Sequence, residues 1–151
     1  MYNILLTVHS LFRWAVLISL IYSIAMAAHG VLAKVHFSKV DNHIRHWTAT
    51  ICHIQLMAGI ILYTQSPMIS YYFSAQEKPS GDAFFFSVLH LVLMLIAIII
   101  ITIGSAKAKR EIQSRKKFST ILLWFSAGLL IILIVIPWPF SPLASRPYIR
   151  L

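Results

Sequence analysis

Polar residues divide this chain into four long apolar stretches. They run from about Ile4 to Ala33, Trp47 to Ile69, Ala83 to Ala106 and Phe118 to Ile136. A helix needs about 20 apolar residues to cross a hydrocarbon layer of about 30 Å, and each stretch meets that length. None shows the two-residue alternation of a barrel strand. Open strands would leave backbone N–H and C=O groups without partners in lipid. The pattern therefore predicts an all-α integral membrane protein, a four-transmembrane-helix up-down bundle in one domain spanning residues 1–151. Pro137 ends the fourth helix, and Pro139, Pro142 and Pro147 predict an extended coat after it.

Composition agrees and excludes alternatives. Of 151 residues, 59% are hydrophobic and only 11% charged, which rules out an ordinary soluble enzyme. The single cysteine, Cys52, rules out an internal disulfide. The formal charge of +9 reads as a topology signal. Lys34, Lys39 and Arg45 fall in the first connection. Lys107, Lys109, Arg110, Arg115, Lys116 and Lys117 fall in the third. Lys78, Arg146 and Arg150 belong to the other side. The positive-inside rule puts the first and third connections in the cytoplasm and both termini outside, which is the periplasmic side if the membrane is the bacterial inner membrane that the resemblance below implies. Lipid headgroups then account for the basic excess, and no nucleic-acid partner is expected. Tyr71, Tyr72, Phe73, Trp138, Phe140 and Tyr148 fit an aromatic belt at the outer interface. Ala25-Met26-Ala27 resembles a leader cleavage site. The N-terminus ahead of the apolar run carries no Lys or Arg, and His9 and Arg13 interrupt that run, so retention is expected.

The seven histidines outnumber the four acids. Asp41, Glu77, Asp82 and Glu111 all fall in connections, so carboxylate relays and acid-oriented nucleophiles have no support inside the spans, and no catalytic residue is assigned. Ionisable groups within a span mark function by default. His9 and Arg13 lie four residues apart, on one face of the first helix. His29, His36, His43 and His46 fit interface and loop positions. On the second helix His43, His46, Thr50, His53 and Met57 form one stripe, and Gln55, Gly59 and Tyr63 another. Gly59 admits close packing by a neighbouring helix or a flat cofactor. His90 is the one ionisable residue in the apolar part of the third helix, and the fourth helix has none.

Imidazole without nearby acids favours ligand chemistry over acid–base chemistry, with haem iron the leading candidate. His9 lies six residues beyond Asn3 and His90 eight beyond Asp82. Counted from that end, their depths agree to about 3 Å, which makes them the expected axial pair. Counted from the basic end they differ by about 12 Å. His53 with His90 is the fallback pair, and Arg13 is placed to meet a haem propionate. The alternative is a cofactor-free accessory subunit of a larger membrane complex, in which these groups satisfy one another or a partner helix.

The pieces Val8-His9-Ser10-Leu11-Phe12-Arg13-Trp14, Arg45-His46-Trp47-Thr48-Ala49-Thr50, His53-Ile54-Gln55-Leu56 and Pro137-Trp138-Pro139-Phe140-Ser141-Pro142 carry a resemblance. With four hydrophobic helices, the chain resembles small bacterial inner-membrane proteins described as cytochrome b-like. That resemblance implies haem b and electron transfer, with quinone as a candidate partner. The respiratory cytochrome b pattern of two histidines on one helix is not met, because Lys34 to Asp41 separates His29 from His43.

Overall fold

The computed structural model describes residues 2–77 and 79–148, so Lys78 and Arg150 of the charge pattern lie outside the described residues. Four helices are long and apolar enough to span a membrane: α1 (Tyr2–Ala33), α2 (Lys39–Thr64), α4 (Asp82–Arg110) and α5 (Ser114–Val135). A short helix, α3 (Pro67–Ser74), joins α2 to α4. Around the bundle α1 touches α2, α2 touches α4, α4 touches α5 and α5 returns to α1. The helices α1 and α4 are therefore diagonal, as are α2 and α5.

The helix ends follow local chemistry. The second helix begins at Lys39, eight residues before Trp47, because Ser38 and Asp41 form a capping box. The Asp41 N–H donates to Ser38 Oγ (3.2 Å), and the Ser38 N–H donates to Asp41 Oδ2 (2.8 Å). Lys39, Asp41 and Arg45 thus belong to a helix and not to a connection. Asp82, Lys107, Lys109 and Arg110 likewise lie in α4, and Arg115, Lys116 and Lys117 in α5, because the helices run past the apolar stretches. The same helix stops at Thr64, and Pro67 opens α3 where the sequence predicted a continuation to Ile69. A proline costs nothing at a first helical position, whose N–H has no partner in any case. Lys34 ends α1 with a φ of +53°, a left-handed turn that swings the chain toward α2. Among the described residues after Val135 no helix forms, and the proline-rich tail as far as Tyr148 lies as a coat.

Lipid is as apolar as leucine, so hydrophobic transfer does not drive helices together there, and close packing must do so. On α5 the positions Phe118, Ile121, Phe125, Gly128, Ile132 and Val135 are buried, three and four residues apart. Small residues let its neighbours approach. A Cβ on Gly30 would sit 2.5 Å from the Phe118 ring, one on Gly128 2.5 Å from Ile101 Cγ1, and one on Gly104 would overlap Trp124 Cβ.

Replacing Gly104 with alanine forces that seam apart. Thermal unfolding of the purified protein in detergent should show Gly104→Ala destabilised by about 1–3 kcal/mol. The lipid-facing change Leu123→Ala should stay within about 0.5 kcal/mol of wild type.

Candidate functional site

Near the end of the bundle that carries both described termini, the four long helices enclose a cavity of about 220 Å³. A single water requires about 10–15 Å³ by this kind of measure, so the space suits a ligand of many atoms. The lining is mainly apolar, with Leu56, Met94, Ile98 and Ile132 among the walls. A few polar groups converge on it, the pattern expected of a ligand pocket. His9 and Arg13 enter from α1, Gln55 and Tyr63 from α2, His90 from α4 and Arg146 from the tail.

The two histidines reach the cavity from diagonal helices. His9 lies seven residues past Tyr2, and His90 lies eight past Asp82, so both sit roughly 10–12 Å along their helices. Immediately before His90, Phe85–Leu89 forms a π turn, and the His90 N–H reaches back to Phe85 O. One extra residue in the turn rotates the helix that follows by about 100°. The Tyr63 hydroxyl donates to Ser87 O within that turn (2.9 Å), tying it to α2. Phe85 and Phe86 flank the His90 ring at 5.7 and 6.0 Å.

Backbone carbonyls decide where one proton sits. His90 Nδ1 lies 3.2 Å from Val135 O. A carbonyl only accepts, so Nδ1 is the protonated nitrogen and Nε2 keeps its lone pair. A metal-binding imidazole has that arrangement: one nitrogen donates to a carbonyl and the other is left for the metal. His9 is held differently. The Gln55 amide donates to His9 O (2.9 Å) and approaches His9 Nε2 at 3.4 Å, while His9 Nδ1 is buried without a partner. Gly59 makes room for this ring, since a Cβ there would stand 3.1 Å from His9 Cε1. The stripe of Gln55, Gly59 and Tyr63 thus faces the cavity.

Cations and the tail complete the lining. Arg13 donates to Tyr148 O, and its guanidinium stands 5.7 Å from the Trp14 ring. Arg146 pairs with Asp82 at 2.7 Å and lies 5.0 Å over Phe86. Arg146 gave no signal in the sequence beyond its charge, because only the folding back of the tail carries it there.

His53 lies elsewhere. It is two residues from Gln55, about 200° around the helix, and faces out of the bundle. It lines a second, more open cavity of about 230 Å³ between α2 and α4 with Arg45, His46 and Thr102. His53 and His90 therefore line different cavities, whereas His9 and His90 share one. Among the described residues no three His, Cys, Asp or Glu side chains form a metal cluster. An iron porphyrin brings four nitrogens of its own and asks a protein for one or two more. The donor set fits such a group: a carbonyl-oriented His90, a second imidazole with an unpartnered nitrogen, apolar walls and two guanidinium groups at the mouth.

No protein-family model, curated protein or solved structure matches this chain.

Removing the Tyr63 hydroxyl should loosen the π turn. Tyr63→Phe is expected to cost about 0.5–1.5 kcal/mol in thermal unfolding. An unchanged midpoint would mean that the bond to Ser87 O contributes nothing.

Proposed function

We propose that this protein carries b-type haem in the cavity between α1 and α4 and passes electrons within a bacterial inner membrane. His9 and His90 would hold the iron, one imidazole from each of two diagonal helices. Arg13 and Arg146 would meet the propionates at the mouth, where charge-assisted bonds to carboxylates are strong. One observation carries the reading: His9 and His90, from diagonal helices, open onto one apolar cavity, and Val135 O leaves His90 Nε2 with its lone pair. The bound group would supply a one-electron Fe(III)/Fe(II) couple.

The chain's own residues would set the conditions around it. The Val135 carbonyl orients the His90 ring and makes its nitrogen a better donor. Gln55 holds the backbone of α1 at His9 (2.9 Å), and Gly59 leaves space for that ring. Apolar walls lower the local dielectric, and the tail covers the cavity at the mouth. In this reading the basic end faces the cytoplasm, both termini face the periplasm, and quinol in the membrane is the exchange partner.

Purified from haem-replete cells, the protein should give a reduced-minus-oxidised spectrum with Soret and α bands. His90→Ala should abolish the low-spin signal, and Gly59→Val should perturb it by crowding His9. A colourless protein that co-purifies with fixed membrane subunits would overturn the proposal in favour of a cofactor-free accessory subunit.

A further inference from the structure

The second cavity faces lipid at the basic end of the bundle, between α2 and α4. Polar residues exposed to lipid are costly and call for a partner. Two groups there define the site, and the cationic one has no counter-ion.

Arg45 is the first. It is only 4% exposed, unusual for an arginine outside an ion pair. Its Nη1 donates to Ser105 O (3.0 Å) and to Ser105 Oγ, and its Nε and Nη2 donate to Asn42 Oδ1 (3.2 and 3.0 Å). Every acceptor is neutral. The guanidinium carries five N–H groups, so one remains unused.

His53 is the second. Its Nδ1 lies 2.8 Å from Ala49 O, and a carbonyl only accepts, so Nδ1 carries a proton. The Thr102 hydroxyl lies 2.7 Å from Ile98 O and 3.0 Å from His53 Nε2, which ties the ring to α4 across the groove.

No carboxylate is within ion-pair reach of either group among the described residues, where the one ion pair is Arg146–Asp82 at the opposite end. Of the acids at the basic end, Asp41 is committed to its capping box with Ser38. A second copy of the chain would bring the same cationic groove and no acid from its spans except Asp41 and Asp82 at helix starts. Charge complementarity therefore points to an anion supplied by the membrane. From Arg45 to His53 is eight residues, about 12 Å along α2, comparable to the headgroup and ester region of a lipid.

We propose that this groove binds the head of an anionic glycerophospholipid, with its phosphate at Arg45 and His46 and its ester carbonyls toward His53. Basic pockets between helices on the positively charged side of a membrane protein are suited to such headgroups. The site is separate from the His9–His90 cavity and stands or falls without it.

Native mass spectrometry of the full chain in mild detergent tests the assignment. The probes are dioleoyl phosphatidylglycerol and dioleoyl phosphatidylcholine. Wild type should retain phosphatidylglycerol on the order of tenfold more tightly than phosphatidylcholine, the size of one charged hydrogen bond. Arg45→Gln should remove most of that preference, while Lys109→Gln, an equal charge change on the exposed surface, should leave it intact, and His53→Gln should weaken retention of both lipids alike. Should Arg45→Gln fail to fold, Ala106→Phe, which fills the groove beside Arg45, carries the comparison and should lower the retention of phosphatidylglycerol. Equal retention of the two lipids, or groove variants that bind like wild type, would overturn the proposal. Displacement of the lipid by millimolar inorganic phosphate would also overturn it, by showing a free-anion site. So would a dimer that holds no lipid.

Discussion

Membrane-spanning helices whose only carboxylates sit in their first turns have few strong acceptors to offer their polar side chains, and most of this structure's polar detail follows from that. The backbone carbonyl takes their place. Arg45 donates to Ser105 O, Arg13 to Tyr148 O, His90 to Val135 O, His53 to Ala49 O, Tyr63 to Ser87 O and Gln55 to His9 O. Each bond ties one segment to another or fixes a ring within its own helix. An unpaired polar group in hydrocarbon costs several kcal/mol, so these contacts select which faces of the helices meet. Carbonyls also accept without donating, and for that reason they assign protons on imidazoles that coordinates alone would leave open.

The same rule gives two histidines different surroundings. His90 Nδ1 donates to Val135 O beside an apolar cavity. His53 Nδ1 donates to Ala49 O, and its Nε2 meets the Thr102 hydroxyl at a groove open to lipid. His9 and His90 thus share a cavity at the end carrying the described termini, and Arg45 and His53 share a groove at the basic end. Between them Gly104 and Gly128 close the seam between α4 and α5.

Much of the fold was legible because the membrane imposes it. Four spans, a helix end at Pro137 and an extended tail follow from length and proline positions. The two stripes of α2 were also legible. One carries Gln55, Gly59 and Tyr63 to the cavity, and the other turns His46 and His53 outward. The pairing of His9 with His90 in one cavity came from counting residues from their end of the helices. Other features depend on contacts that no local pattern announces. Ser38 and Asp41 spell out a capping box, yet the polar stretch around them looks like a connection, and the burial of Arg45 depends on Ser105 sixty residues away. The π turn before His90 has no strong sequence mark, and Arg146 reaches the mouth only because the tail folds back to Asp82.

The central claim is that His9 and His90 act on one group across the diagonal of the bundle. Low-temperature electron paramagnetic resonance of the oxidised protein, purified from haem-replete cells, tests it most directly. The account predicts a low-spin ferric signal of bis-imidazole type that turns high-spin in both His9→Ala and His90→Ala. A wild-type sample with no ferric haem signal, or a low-spin signal that survives both substitutions, would contradict it.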